Sequence, residues 1–349
     1  MSNNIIVYIY ERKKKLEKIT VLELFSGIGA FSKGLKRANI DFEIVGFSDN
    51  QEYANEAFSV IHNIDRKLGL GDVREVDGTK FKGVDLVTHG SPCQSLTRGA
   101  THEGADEGSG TRSSLMWETV RIVGESKPKY VVWEQVPDVK SKRHIHNFNK
   151  YIERLDKLGY YSYDTNLYAY DFGSAQKRRR LFTVSIRKDI DDKTFKFPVG
   201  NAQPKLLRDY LEKNVSDKYL IPQKYLEARI IEKISVNKYK IQNATKLGYL
   251  IAEEFDGIDF GFPTSKLRRG RVQKQSTQTL LTGKSIGTLV DDKFRYLTPK
   301  EYWLLQEFDV DDYEKVKKLG LSESRLYSLA GNSINVNVTT ALFKALFNR

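Results

Sequence analysis

Apolar runs separated by polar turns divide the chain into short strands and helices. Ile19 to Phe25 ("ITVLELF") is apolar and β-branched almost throughout, the pattern of a strand buried on both faces. It runs into Ser26-Gly27-Ile28-Gly29-Ala30 and then a helical stretch, "FSKGLKRAN". Further strands are predicted at Glu43–Ser48, Val84–Thr88, Tyr130–Trp133 and Leu181–Ile186. Helices are predicted from Leu115 to about Glu125 and over His144–Leu158. Met116, Val120 and Val123 mark the inner face of the first helix, and Ile145, Phe148, Ile152 and Leu155 that of the second. Strands alternating with helices predict an α/β fold. From about Pro198 this rhythm fades. Residues 198 to 294 are polar and irregular, with a helical piece near Gln223 to Ile234, and read as a separate small recognition domain. Arg295 to Phe308 reads as a helix with Thr298-Pro299 at its start. An Asn-Ser turn then leads into a C-terminal amphipathic helix, expected to pack back onto the first domain.

Composition narrows the class. The chain has 349 residues, 40% of them hydrophobic and 29% charged, which is enough to bury a core plus a smaller unit. A net charge of +12 favours a polyanionic partner, nucleic acid first, although a basic surface can also serve solubility alone. One cysteine excludes an intramolecular disulfide and fits a reducing compartment. The apolar run at the start covers six residues and precedes its charges, unlike a signal peptide or a spanning helix. A cytoplasmic protein is expected.

Candidate chemistry collects where predicted strands end. Cys93 lies in Gly90-Ser91-Pro92-Cys93-Gln94, a turn just past the strand at Val84–Thr88, and Glu134 ends the strand at Tyr130. A thiol and a carboxyl at one sheet edge suit covalent catalysis with proton handling. A free cysteine can also be a small buried hydrophobe, and the glutamate a cap or surface group. The Gly-rich turn at Ser26–Ala30 can cradle a ligand at a helix N-terminus. Asp49, about twenty residues on, can accept from ribose hydroxyls or cap the helix starting near Gln51. Asp72 is a further acid. Ser95 to Ser114, rich in Gly, Ser and Thr, reads as a surface loop or a mobile active-site loop. The cations Lys177 to Arg180 stand at a strand's entrance, placed for phosphate or base. Lys266, Arg268, Arg269, Arg271 and Lys274 crowd nine residues, as phosphate contacts do.

Taken in order, these motifs resemble the cytosine-5 DNA methyltransferase family, as found in bacterial and phage restriction-modification systems. "LFSGIGAF" resembles its cofactor loop, "GSPCQ" its nucleophile turn and "WEQV" its Glu-Asn-Val motif. "QKRRRLF" resembles Gln-x-Arg-x-Arg, and "GNSINVNV" the closing Gly-Asn-Ser motif. The match covers nearly the whole chain except about 198 to 275. It implies a Rossmann-like mixed sheet in a catalytic domain of residues 1–197, a target-recognition domain of residues 198–275, and residues 276–349 returning to the first. It also implies S-adenosylmethionine as cofactor, held by Phe25, Gly27, Ile28, Gly29, Asp49, Asn50, Asp72, Val73, Leu115, Asn332 and Ser333. Asp49 would meet the ribose hydroxyls and Asp72 the adenine amino group. Cys93 would attack carbon 6 of a flipped cytosine, and Glu134 would bond ring nitrogen 3. Arg178 and Arg180 would hold base and loop, with Arg180 nearest the exocyclic oxygen. Gln94, Ser95, Thr97 and Arg98 would contact DNA in a loop reaching Thr111.

The resemblance further implies a monomer acting on double-stranded DNA, with no metal and no membrane, beside which a cognate restriction endonuclease could act separately. The runner-up is a transfer RNA cytosine-5 methyltransferase, and a non-catalytic DNA-binding module is a third reading. One departure from the family stands beside the catalytic glutamate: Gln135 occupies the Asn position. If that Asn braces the Pro-Cys turn, this site must be braced differently or run slower.

Overall fold

The computed structural model describes residues 18–93, 104–262, 264–265 and 270–347. In chain order the strands are β1 (Ile19–Leu24), β2 (Phe42–Ser48), β3 (Leu86–His89), β4 (Tyr130–Gln135), β5 (Tyr160–Tyr168), β6 (Gln176–Lys177), β7 (Arg179–Arg187), β8 (Ile230–Ser235), β9 (Lys238–Gln242), β10 (Tyr249–Glu253), β11 (Gly257–Asp259), β12 (Val272–Gln273), β13 (Thr277–Gln278), β14 (Ile286–Val290) and β15 (Lys293–Tyr296). The helices are α1 (Ala30–Arg37), α2 (Glu52–His62), α3 (Met116–Ser126), α4 (Ile145–Lys157), α5 (Gln223–Glu227), α6 (Pro299–Leu305), α7 (Val310–Lys317), α8 (Glu323–Asn332) and α9 (Val336–Phe347).

Six strands form the main sheet in the order β2-β1-β3-β4-β7-β5. β1 to β4 are parallel, while β7 runs antiparallel to both β4 and β5. Side chains alternate across it. Val21, Val132 and Val184 enter one apolar cluster with Phe31, Leu35 and Phe343 from α1 and α9. Leu22, Leu24, Val131 and Trp133 enter another with Met116, Ile122 and Tyr151 from α3 and α4. The sheet is therefore covered on both faces, as its nearly continuous apolar strands require. Chain order reverses at β1, which leads outward to β2 and then back to β3. This switch point sets the turn after β1 beside the turn after β3.

The C-terminal helix closes the first face. α9 lies so close to α1 that a Cβ on Gly34 would come 2.3 Å from Thr339 Oγ1, whose hydroxyl donates to the Ala30 carbonyl at 2.9 Å. α6 opens as expected: the Thr298 hydroxyl accepts from Glu301 N, and the Glu301 carboxylate accepts from Thr298 N.

The variable stretch builds two small sheets, β10-β9-β8 and β12-β11-β14-β15. They share a cluster of Ile221, Tyr239, Ile241, Ile258, Phe260, Leu289, Phe294 and Tyr296. β8 to β12 fall inside the expected recognition segment, residues 198–275, and β14 and β15 extend the same cluster past it. The helical piece expected near Gln223 to Ile234 is corrected. Only α5 is helical, and Ile230 onward forms β8 against β9. Its β-branched isoleucines fit a strand once a partner strand supplies the hydrogen bonds. β13 pairs in parallel with β6 in a separate two-stranded sheet, and a single residue separates β6 from β7.

Candidate active site

Three turns meet at one edge of the main sheet: the ends of β1, β3 and β4. β7 enters from the same edge because it is antiparallel, with Leu181 opposite Gln135 and Phe182 opposite Glu134. The local pattern explains the inward groups. Gln176 and Arg178 are buried where Lys177 and Arg179 are exposed, a two-residue alternation.

The structure brings Cys93, Glu134, Arg178 and Arg180 together. Arg180 Nε stands 2.8 Å from Glu134 Oε1, yet off the angle of a hydrogen bond, so that oxygen has no donor among the described residues. Arg178 is 4% exposed and donates from Nη2 to the Ser333 carbonyl at 2.7 Å. Its Nε and Nη1 have no acceptor among the described residues. Burial, followed by the like charge of Arg180, holds the Arg178 guanidinium below its usual range. Burial pushes the half-buried Cys93 thiol up; Arg180 pulls it back, Glu134 pushes it further up, and Arg178 pulls it down. Two donors left open in a buried place, beside a carboxylate oxygen met by an ion pair but no hydrogen bond, are costly unless a polar ligand meets them.

The turn that carries Cys93 is tied down from β4. Gln135 Nε2 donates to the Ser91 carbonyl at 3.1 Å, and its Oε1 accepts from Val136 N at 2.8 Å. Trp133 Nε1 donates to Ser91 Oγ at 3.0 Å. Below the turn, Trp133 stacks with buried His89 at 5.6 Å between centroids, and His89 Nε2 lies 2.9 Å from the Tyr151 hydroxyl. Burial lowers His89 to about 3, so it is a neutral spacer rather than a base.

The turn after β1 has the shape of a cradle. Phe25, Gly27 and Gly29 all have positive φ, at 52°, 52° and 75°. A Cβ on Gly27 would meet nothing within 4 Å, whereas one on Gly29 would strike His62 Nε2 at 2.1 Å. Ser26 Oγ is buried with no partner among the described residues. Asp49 Oδ2 accepts from Gly27 N at 3.0 Å and Oδ1 from Gln51 N at 2.9 Å, so the carboxylate ties the turn to the start of α2. Burial pushes Asp49 up. Asp72 accepts from Arg74 through both oxygens. Phe25 and Leu115 lie half-buried on the cluster that holds Val73 and touches Cys93. Open space at Gly27, the unpartnered Ser26 hydroxyl and an apolar wall suit a polar ligand with an aromatic part.

Other expected residues stand apart. Ile28 is buried in the cluster on the opposite face of the sheet. Asn50 is exposed and accepts from Gln51 Nε2 at 3.2 Å. Asn332 is exposed and bonds Ser328 on its own helix at 3.4 Å, while Ser333 joins the site through its carbonyl. Lys274 is paired with Glu253 and Asp256, both at 2.9 Å, whereas Arg271 is exposed with no ion pair among the described residues. Gln94, Ser95, Thr97, Arg98, Lys266, Arg268 and Arg269 lie outside the described residues. Sequence reasoning gave no role to Ser91, His62 or Gln306, which fix the site from behind. Gln306 donates to the Ala330 carbonyl at 2.7 Å and the Ser333 carbonyl at 3.3 Å. Only Gln135 carried a signal, as a departure from a motif.

Comparison with known proteins places this geometry. The family model described as C-5 cytosine-specific DNA methylase matches residues 19–348. The type II methyltransferase M2.ScrFI of Lactococcus lactis subsp. cremoris is 30% identical, over 94% of this chain and 99% of its own. The orphan methyltransferase M.SPRI of Bacillus phage SPR is 27% identical, over 95% and 98%. Among solved structures, Entamoeba histolytica methyltransferase EhMeth superposes with a TM-score of 0.67 at 18% identity, covering 95% of this chain and 98% of its own, which speaks for the fold. The S. pombe Dnmt2 methyltransferase gives 0.66 at 19%, covering 95% and 99%. Matched from its first strand to its last helix, this chain belongs to the C-5 cytosine-specific DNA methylase family.

Proposed function

We propose that this DNA cytosine-5 methyltransferase works through Cys93 as nucleophile, with Glu134, Arg178 and Arg180 around the attacked base. The observation that carries the reading is the buried polar set of open Arg178 Nε and Nη1 and the Glu134 carboxylate ion-paired with Arg180, beside the only thiol of the chain. Cytosine presents a carbonyl oxygen to donors and an amino group and ring nitrogen to a carboxyl, which matches that set. Arg180, ion-paired with Glu134 at 2.8 Å, keeps the place nearest the exocyclic oxygen, and Arg178, anchored on the Ser333 carbonyl, holds base and loop.

The steps follow from the residue types. The Cys93 thiolate adds to carbon 6, forming an S–C bond while the 5,6 double-bond electrons move towards carbon 5. Glu134 meets the charge that grows on the ring by proton donation or hydrogen bonding at nitrogen 3. Carbon 5 is then nucleophilic enough to take a methyl group. Loss of the carbon-5 proton, to water, and of the thiolate restores the aromatic ring. S-adenosylmethionine, the general donor of such enzymes, supplies the electrophilic methyl group. Phe25, Gly27, Ser26, Asp49, Asp72 and Leu115 would hold it. Asp49 keeps its ribose assignment through lone pairs left after its two backbone bonds. Carbon 5 is out of reach in a stacked duplex, so the base must leave the helix, at a cost of a few kcal/mol.

Relatives are named both orphan and type II, so a restriction partner is no part of this reading. Among the described residues no helix is long and apolar enough to cross a membrane. The test is methyl transfer from labelled S-adenosylmethionine to duplex DNA and to transfer RNA in parallel, for the native chain and Cys93→Ala. Label in DNA at a short motif, lost in Cys93→Ala while DNA binding persists, is expected. Turnover by the variant would remove the assigned nucleophile, and label in RNA alone would replace the substrate.

A further inference from the structure

The cationic run Lys177–Arg180 faces two ways. Arg178 is buried and Arg180 half-buried beside Glu134, whereas Lys177 and Arg179 are exposed, and Arg179 meets the site through its carbonyl, which accepts from Arg180 Nη1 at 2.8 Å. Each of these outer cations lies on a tyrosine. Arg179 Cζ stands 5.2 Å from the ring centre of Tyr168, its register partner across β5 and β7. Lys177 Nζ stands 5.7 Å from the ring centre of Tyr170 and donates to Gln273 Oε1 of β12 at 2.9 Å. Tyr168, at the end of β5, is 39% exposed. Neither cation has an ion pair among the described residues, in a chain that carries 45 acids and pairs Lys140, Lys188, Lys205 and Lys274.

Their place is as telling as their charge. β7 enters the sheet at the edge where β3 and β4 deliver Cys93 and Glu134, and Arg179 lies two residues outside the Leu181–Gln135 pair. Lys177, through Gln273, continues the row towards the small unit. The two outer cations lie two residues apart, Lys177 at the end of β6 and Arg179 at the start of β7. An aromatic ring under each cation holds the side chain extended without cancelling its charge.

We propose that Lys177 and Arg179, each seated on its tyrosine, bind the phosphodiester backbone of duplex DNA beside the target base. This rests on the reading of the protein as a DNA methyltransferase and adds a contact surface to it. The alternation of one run then does two jobs. Inward arginines handle the base, and outward cations handle the strand from which it came.

The test uses the full chain, the double variant Lys177→Gln/Arg179→Gln, each single Gln variant, and Arg179→Lys. Binding of a labelled random-sequence duplex is followed by fluorescence anisotropy across a salt series, because phosphate contacts do not depend on sequence. Single-turnover methyl transfer is measured at saturating DNA. Loss of two contacts is expected to lower the slope of log K against log salt by about 1.8, and each single Gln variant by about 0.9. The single-turnover rate should change little, and Arg179→Lys should keep the native slope. An unchanged slope overturns the proposal, as does a collapse of the saturated rate with the slope intact. The binding slope is read without turnover, so a native chain that methylates no DNA would sink the functional reading separately.

Discussion

Gln135 donates from Nε2 to the carbonyl oxygen of Ser91 at 3.1 Å, and through that bond the end of β4 holds the turn that presents Cys93. The longer side chain at this position does what the departure from the motif put in doubt. Its carbonyl turns back to Val136 N, and its amide reaches across to the neighbouring strand's turn. Gln135→Ala would leave the buried Ser91 carbonyl and Val136 N–H without partners, a loss of about 1–3 kcal/mol each way such groups are counted. We expect kcat to fall at least tenfold with a smaller change in KM for DNA. A variant with native kcat would show that Trp133 alone suffices to brace the turn.

Cys93 reactivity offers a second check, because it is the only thiol in the chain. Burial raises its pKa, so less thiolate is present at neutral pH than in an exposed cysteine. Alkylation by iodoacetamide at pH 7.5 should be slower than for a short cysteine peptide and should rise with pH. Glu134 raises the thiol pKa and Arg180 lowers it, so Glu134→Gln should speed the reaction and Arg180→Gln slow it. The opposite order would mean that these charges do not face the sulfur.

His62 makes stability depend on acid. Its half-buried ring packs against the turn after β1, with Nε2 3.1 Å from the Ile28 carbonyl, and desolvation lowers it to about 4. A folded pKa below the unfolded ~6.5 means that the unfolded chain binds more protons between the two. The contribution is whole above about pH 6.5 and is lost as pH falls towards 4, on the order of 3 kcal/mol. Glu23, raised to about 7 by burial, works the other way and loses its contribution as pH rises through 7. Urea unfolding at pH 5 and 7 should show His62→Gln with a shallower acid loss than the native chain. An equal loss would assign the effect elsewhere.

Two glycines should separate stability from cofactor binding. Gly34→Ala would press a methyl group against Thr339 Oγ1 at 2.3 Å and its carbonyl carbon at 2.9 Å. We expect a loss of about 1–3 kcal/mol, read as a lower Tm, with KM for the cofactor nearly unchanged. Gly27→Ala meets no neighbour but must adopt a φ of 52°, at about 1–2 kcal/mol. Its methyl group would fill the cradle, so KM for S-adenosylmethionine should rise about tenfold or more, the equivalent of ~1.4 kcal/mol. A Gly27→Ala enzyme with native KM would place the cofactor elsewhere.

Five of the six main-sheet strands were legible because each carries its own signal, whereas β5, a polar edge strand that pairs with β7, was not read from the sequence. "ITVLELF", "EIVGFS" and "YVVW" are apolar on both faces, and a strand covered on both sides needs little else to be read. The small unit was less legible. Ile230 to Ser235 alternates too weakly to declare a strand, and only pairing with β9 makes it one. Asp49 was read as a ribose ligand or a cap, and the structure shows its carboxylate bonded to Gly27 and Gln51. Local sequence could not supply Gly27, which lies 22 residues away.

By itself the sequence determined which chemistry the chain can hold: one thiol on a tight turn, a carboxyl at a strand end, and alternating arginines in a short run. Those features are local, because turn residues and two-residue periodicity act within a few positions. Only the tertiary structure decided how they meet. Parallel and antiparallel pairing brought Cys93, Glu134 and Arg178 to one edge from positions far apart in the chain. Ser333, from the end of α8, holds Arg178 from 155 residues away. Such contacts depend on packing between distant segments, and no window of sequence contains both partners.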